Sequence, residues 1–381
     1  MLTKYFPSPY RSYPRHFVAY FVSVLYRRNH EAVERPHSVK KILLVNMGHM
    51  GDVILSLGLL RTLRETFPSA EISILVGPWN AEIVRISDSA DETFEYFGSA
   101  WAKRTGRKSS FWHSIAQFKA LRRKKFDVVI SLHTSLFLLV ASVLLRPDYF
   151  VDYGAYRVAR RLARNSVPEP RDSHIHSEFA CLLVQLGIPR PVHDPAIVLS
   201  DRAAVSTEGL ARTWRASLKG PKILVHPFGA YPEKEWPIDR WGALIERLVA
   251  SLSARVVITG APGDKEKSIA LRQECNVEIE DLTGQTSCSD LAVVIQNSDL
   301  IVTVDGGPMH LAAAIGTPVV AIFGPTDPKR WGPVTERAMV LYHPTDCTPC
   351  NYSSGCAQTP GCMEKTSVEE VLGAVRFLLS S

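Results

Sequence analysis

Leu300-Ile301-Val302-Thr303-Val304-Asp305-Gly306-Gly307-Pro308-Met309-His310-Leu311-Ala312-Ala313-Ala314 is the stretch whose reading decides the fold. Five aliphatic or β-branched residues in a row read as a strand buried on both faces. Asp-Gly-Gly-Pro then breaks the run. Pro308 sets the backbone for a first helical turn, and the small alanines let that helix lie close on a sheet. A buried strand running straight into a helix is the unit of a parallel sheet, whose strands need crossovers. The helix start also gathers unpaired N–H groups and the positive dipole end, which makes a phosphate site. His310 sits in that first turn, within reach of a nucleotide phosphate or sugar.

The same alternation runs both ways along the chain. Upstream, Ile42 to Asn46, Ile72 to Val76 and Asp127 to Leu132 read as strands, with helices near Val53 to Thr66, Phe111 to Lys124 and Ser177 to Leu186. A helix over Asp201 to Lys219 bridges to a second series, with strands at Ile223 to His226, Val256 to Thr259, Leu300 to Val304 and Val319 to Phe323. Its helices fall near Asp239 to Ser251, Asp264 to Glu274, Ser289 to Gln296 and Met309 to Ile315. Two similar halves emerge, so we expect an α/β protein of two doubly wound, Rossmann-like domains facing across a cleft. The expected divisions are an extension over 1–37, a first domain over 38–200, a linker over 201–220, a second domain over 221–366 and a C-terminal helix over 367–381. Ligands of such sheets bind beyond the carboxyl ends of the strands, so the strand-to-helix loops carry the chemistry.

Four loops stand out. The first strand ends in Asn46-Met47-Gly48-His49-Met50-Gly51-Asp52, which lacks the third glycine of a dinucleotide fingerprint and argues against a dehydrogenase. Asp52 falls at the expected helix start, where it serves either as a cap or as a base. Pro227-Phe228-Gly229-Ala230-Tyr231-Pro232-Glu233-Lys234 sets a lone cation beside a glycine turn and suits a pyrophosphate. After Val256 to Thr259, Gly260-Ala261-Pro262-Gly263-Asp264 offers a carboxylate that either accepts from ribose hydroxyls or is solvated. Asp305 to His310 completes the set.

The chain has 381 residues, 46% of them hydrophobic, and a net charge of +6, the proportions of a soluble globular protein. Residues 1–200 hold 27 basic against 17 acidic residues, and 201–381 hold 17 against 21. The basic first half suits an anionic partner, unless these residues only solvate helix faces. Within 1–37, aromatic residues (Tyr5, Phe6, Tyr10, Tyr13, Phe17, Tyr20, Phe21, Tyr26) alternate with Lys4, Arg11, Arg15, Arg27 and Arg28. The apolar run Phe17 to Tyr26 is too short to span a bilayer. It reads as a helix in the membrane interface or as an arm lying on the protein's own surface. Seven cysteines and no cleavable signal point to a reducing cytoplasm. Four of them, Cys347, Cys350, Cys356 and Cys362, cluster in a loop over 347–362 and could hold a structural zinc or iron, form disulfides or stay free. His174-Ile175-His176-Ser177-Glu178 looks like a metal motif, but Glu178 would fall in a first helical turn, which favours capping or acceptor contacts.

With these loops in order, the sequence resembles glycosyltransferase family 9, the ADP-heptose:lipopolysaccharide heptosyltransferases. Four segments carry the resemblance: Ile42-Leu43-Leu44-Val45 leading to Gly51-Asp52; Glu233-Lys234-Glu235-Trp236-Pro237 with Arg240-Trp241; Asp281-Leu282-Thr283-Gly284; and Asp305-Gly306-Gly307-Pro308-Met309-His310 continuing to Phe323-Gly324-Pro325-Thr326-Asp327-Pro328. It implies the GT-B fold, with the donor in the C-terminal domain and a cytoplasmic enzyme working at the inner-membrane face. The implied reaction is inverting transfer of heptose from ADP-heptose to an anionic glycolipid acceptor, usually a phosphorylated Kdo-heptose core. Asp52 would be the general base and Lys234 would contact the donor phosphates. Asp305, Gly306, Gly307 and His310 would form the donor-binding turn, and Asp264 would contact ribose. Thr283, Gly284, Gln285 and Thr286 would line the adenine pocket, with Gly229 and Ala230 where relatives often carry hydroxyls. No catalytic metal and no nucleic-acid partner are implied, although one branch of the family holds iron on clustered cysteines at other spacings.

The chain departs from the family pattern after Asp127 to Ile130, where Ser131-Leu132-His133 and apolar Leu136, Phe137 and Leu138 replace acidic, glutamine and basic residues. The basic runs Lys103, Arg104, Arg107, Lys108 and Arg122 to Lys125 would suit a phosphorylated acceptor or simply face water. Two other readings stay open: a transferase of the same fold using another nucleotide-sugar, and a non-catalytic nucleotide-sugar- or metal-binding scaffold.

Overall fold

A computed structural model describes residues 38–97, 111–132, 145–152, 174–189, 191–199, 220–351, 356 and 361–381. The aromatic and basic extension, the bridging helix over Asp201 to Lys219, the basic run from Lys103 to Lys108 and the departures from His133 to Leu138 lie outside the described residues.

The first half comprises β1 (Lys41–Asn46), α1 (Met50–Thr66), β2 (Glu71–Val76), α2 (Ala81–Ser87), β3 (Glu92–Glu95), α3 (Phe111–Arg123), β4 (Val128–Ser131), β5 (Tyr149–Asp152), α4 (Ile175–Glu178) and α5 (Ala180–Gln185). The second comprises β6 (Lys222–His226), α6 (Ile238–Leu252), β7 (Arg255–Ile258), α7 (Lys265–Gln273), β8 (Glu280–Asp281), α8 (Cys288–Gln296), β9 (Leu300–Val304), α9 (Gly307–Ile315), β10 (Val319–Phe323), α10 (Pro328–Trp331), β11 (Ala338–Tyr342) and α11 (Val368–Ser380). Two sheets result, ordered β3-β2-β1-β4-β5 and β11-β10-β9-β6-β7-β8, and every pairing is parallel. Central strands β1, β9 and β10 are buried almost throughout, as helices on both faces require.

Each sheet reverses its strand order once. In the first, the chain runs outward through β1, β2 and β3, then returns to β4 on the other side of β1. In the second it runs through β6, β7 and β8, then returns to β9 on the other side of β6. These reversals open crevices at the carboxyl ends of β1/β4 and β6/β9, where parallel sheets bind ligands. A continuous buried cluster joins the halves, with Val53, Ile54 and Leu57 of α1 and Met309, Ala312 and Ala314 of α9 all belonging to it.

Helix α1 starts at Met50 rather than near Val53. Asp52 is therefore its third residue, and His49 is the cap. The helix expected over Ser177 to Leu186 is two short helices meeting at Phe179. Edge strands β3, β5, β8 and β11 add to the four-strand reading of the second half and the three-strand reading of the first. Among the described residues no helix is long and apolar enough to cross a membrane.

Candidate active site

Helices α1 and α9 leave the central strands of the two sheets and cross at their first turns. The crossing is close enough to require glycine on both sides. A Cβ added to Gly307 would meet Met50 Sδ at 2.7 Å, and one added to Gly51 would meet His310 Cδ2 at 2.6 Å. The second glycine of the Asp-Gly-Gly turn is thus demanded by the opposing helix. Gly306 beside it has room for a Cβ, its nearest neighbour being 3.8 Å away.

The crossing brings the two crevices together. Asp52, on the third residue of α1, accepts a hydrogen bond from the His49 amide on Oδ2 at 2.8 Å. Burial raises its carboxyl above the ordinary aspartate range, and nearby Asp305 adds to this. The His49 amide, His49 and Lys234 pull the other way. Asp52 thus bonds back to the cap residue from the third helical position, where the sequence had placed it at the cap itself, and also lies in electrostatic reach of Lys234 and Asp305 from the opposite sheet.

Lys234 closes a 3₁₀ turn, Pro232–Lys234, in the loop after β6. Its Nζ lies 2.6 Å from Asp305 Oδ2, with both side chains largely buried. The same oxygen accepts from Thr326 Oγ1 at 2.7 Å. The cation read as lone is thus held in an ion pair, by strands β6 and β9 that are neighbours in the sheet. His310 is buried, and desolvation pushes its imidazole down to about 4, so it is neutral at physiological pH. Its Nδ1 is buried without a hydrogen-bond partner among the described residues, an unsatisfied polar atom at a helix start.

The remaining candidates line the same edge of the second sheet. The Gly229 amide donates to Glu235 Oε1 at 3.2 Å, and Glu235 in turn pairs with Lys267 at 2.5 Å. That amide is committed within its own loop, and Ala230 is exposed at the rim. Asp264 caps the turn Pro262–Asp264 by accepting from the Ala261 amide at 2.9 Å. The loops after β7 and β8 are joined where the Gly284 amide donates to Gly260 O at 2.9 Å. The Thr283 amide donates to Asp281 Oδ1 at 2.9 Å, and Gln285 Nε2 donates to Asp281 O at 2.8 Å. Thr286 completes this loop, half-buried.

Sequence reading assigned no role to several residues here. His226, a histidine closing an aliphatic strand, bonds Thr259 Oγ1 through Nδ1 at 3.0 Å, and burial lowers it to about 4. The seam between the halves carries polar ties as well. Glu82 of α2 accepts from the Cys288 and Ser289 amides at 3.1 and 3.0 Å, at the start of α8. Burial pushes its carboxyl up, but the bonds from Ser289, Ser287 and Cys288 together outweigh this and hold it below the usual range. Glu178 pairs bidentately with Arg330 at 2.5 and 3.2 Å, and His174 bonds Gly332 O at 2.9 Å. The His174 to Glu178 segment therefore serves the seam. The His176 amide donates to His174 Nδ1, so the ring proton is on Nε2 and is donated to Gly332 O.

None of the seven cysteines is in a disulfide. Among the described residues, no group of three or more His, Cys, Asp or Glu side chains is arranged to hold a metal, so the four clustered cysteines form no ready-made site. Buried Cys362 packs near Gly324, while Cys347 and Cys356 are exposed.

Comparison with known proteins agrees with this architecture. Lipopolysaccharide heptosyltransferase 2 of Salmonella typhimurium is 26% identical over 317 residues, covering 79% of this chain and 87% of that protein. A family 9 glycosyltransferase from Veillonella parvula superposes with a TM-score of 0.77 at 21% identity, over 91% of this chain and 99% of that one. The Escherichia coli ADP-heptose lipopolysaccharide heptosyltransferase II gives 0.70 at 22%, over 89% and 98%. The model of glycosyltransferase family 9 (heptosyltransferase) matches residues 114–358, more than half of the chain. Two doubly wound sheets crossing at α1 and α9, with this match, place the chain in glycosyltransferase family 9.

Proposed function

We propose that this glycosyltransferase transfers heptose from ADP-heptose to a hydroxyl of a lipopolysaccharide core or related anionic glycan. The observation that carries the reading is the meeting of the two crevices. A carboxylate from one sheet, Asp52, faces the Lys234–Asp305 pair and the start of α9 from the other. The Salmonella and Escherichia coli relatives, both heptosyltransferases by name, supply the sugar and the acceptor class.

In the proposed step, Asp52 takes the proton from the acceptor hydroxyl as that oxygen bonds to the anomeric carbon. The bond from that carbon to the diphosphate breaks, its electron pair leaves with ADP, and the configuration inverts. A raised carboxyl pKa makes Asp52 a stronger base than an exposed aspartate. Lys234 and the unpaired amides at the start of α9 oppose the charge growing on the departing diphosphate. On this reading Asp264 and the Thr283 to Thr286 loop face the nucleoside. Divalent metal is not required, so transfer should persist in excess chelator.

Thermal unfolding with ADP, UDP, GDP and their sugars tests the reading, because a ligand bound to the native state raises the transition by mass action. ADP and ADP-heptose should raise it and the other nucleotides should not. No shift with any adenine compound would refute the donor assignment.

A further inference from the structure

Two buried asparagines grip the turn that delivers Asp52. Asn46, the last residue of β1, and Asn80, closing the 3₁₀ turn Pro78–Asn80 after β2, are 1% and 0% exposed. Asn46 Oδ1 accepts from the Gly48 amide at 3.1 Å. Its Nδ2 donates to Asp52 O and to Ser56 Oγ, both at 3.0 Å. Asn80 Nδ2 donates to Gly48 O at 2.9 Å. The N–H and C=O of Gly48 are thus held from two different strand ends, and Asn46 also reaches the backbone of Asp52 itself. Aliphatic side chains would cover these strand ends without the desolvation cost of two buried amides. What the amides add is a fixed path for the four residues from Gly48 to Gly51.

We infer that Asn46 and Asn80 are positioning residues for the base, an inference that rests on reading Asp52 as that base. Asp52 spends Oδ2 on the His49 amide, which leaves Oδ1 to receive the proton. The direction of that oxygen follows the turn, and an error of about 1 Å at a reacting group can cost 10²-fold in rate. The asparagines touch no donor atom in this scheme. Their loss should lower kcat and leave ADP affinity alone.

Asn80→Asp tests this in a way that a purely structural role would not mimic. A carboxyl at this unexposed position has its pKa raised by burial. Its protonated form can donate to Gly48 O as the amide does, and its ionised form cannot. The ratio of kcat for N80D to that of the wild type, measured with ADP-heptose and a phosphorylated Kdo-heptose core acceptor, should be near one at about pH 6. It should fall by about tenfold or more toward pH 9. The titratable groups near the turn, Asp52 and His49 on its own helix side, Glu82 on α2, and Lys234, Asp305 and His310 from across the crossing, are unchanged in the variant. Asn80→Leu, which cannot donate at any pH, should lose kcat throughout, with the Kd for ADP from calorimetry within about twofold of wild type. A ratio that stays flat with pH, or ADP affinity that falls in step with kcat, overturns the inference. Wild-type protein that transfers no heptose overturns the functional reading itself, and the inference with it.

Discussion

Gly307→Ala is the sharpest test of the crossing that assembles the site. The new methyl would meet Met50 Sδ at 2.7 Å, Cβ at 2.9 Å and Cγ at 3.0 Å, where carbon contacts settle at about 3.5–4.0 Å. The sulfur can swing aside, but the Met50 Cβ is fixed to the backbone of α1. The helices must therefore part by several tenths of an ångström. Overpacking of this kind costs about 1–3 kcal/mol, and the loss of glycine's freedom in the unfolded chain returns about 0.4–1 kcal/mol. The net is a destabilisation of about 1–2 kcal/mol, or roughly 2–8 °C in Tm for a large domain. Turnover should fall more steeply than stability, because the parting lies between Asp52 and the diphosphate site; about tenfold is expected from a sub-ångström displacement. Met50→Ala, which removes Sδ and Cγ but keeps Cβ, should restore part of both losses in the double variant. A G307A protein with wild-type Tm and wild-type kcat would show that the two helices do not touch in the working enzyme.

Asp52→Asn should keep ADP affinity within about twofold while transfer falls by about 10²–10⁴-fold; normal transfer would remove Asp52 from the mechanism. Because burial raises the Asp52 pKa and the base works as the carboxylate, activity should be lost as pH falls through a point above the ordinary aspartate range. A wild-type pH–rate profile whose acid limb lies at or below that range would contradict this. Glu82→Gln should cost about 1 kcal/mol at neutral pH by weakening the cap on α8. The Glu82 pKa is lowered by folding, so its contribution is complete above the unfolded value and disappears as pH falls through the folded one; urea unfolding should show wild type and E82Q converging in acid. Lys234→Met leaves Asp305 buried without its cation and should destabilise by about 3 kcal/mol. Adding Asp305→Asn should recover most of that stability, as read by urea unfolding, without recovering ADP affinity in calorimetry. If the double variant binds ADP like wild type, Lys234 is a structural cation only.

The central strands were legible because burial on both faces writes itself as unbroken aliphatic runs, and Leu300 to Val304 and Val319 to Phe323 match the structure residue for residue. The edge strands were not. Glu92–Glu95 and Ala338–Tyr342 are only half-buried and carry mixed side chains, and Glu280–Asp281 has two residues, so neither periodicity nor length marked them. Single site residues could be picked out by their loops, but their partners could not. Lys234 and Asp305 are 71 positions apart, and their pairing depends on β6 lying beside β9. Gly229 showed a turn but not that Glu235 would claim its amide. Asn80 carries no local signal, because its bond to Gly48 exists only once β1 and β2 are adjacent, while Asn46 bonds within its own strand-to-helix turn, where a strand-ending asparagine looks like any other turn residue.

The charge at the crossing bears on how the proposed reaction would proceed. Asp52 and Asp305 are acidic, Lys234 is the cation that pairs with Asp305, and His310 is held neutral by burial. A site with this balance offers a diphosphate little net attraction. Donor affinity must then come largely from directional groups: the amides at the start of α9 and the loops around Gly260 and Gly284. Such contacts lose less to salt than charge pairing does, because screening acts on net charge and leaves short hydrogen bonds nearly intact. ADP affinity should accordingly depend only weakly on ionic strength. The same surplus of negative charge helps to keep Asp52 basic before transfer, and it repels ADP once the sugar has left. One arrangement of two carboxylates and one lysine therefore serves both the activation of the acceptor and the release of the product.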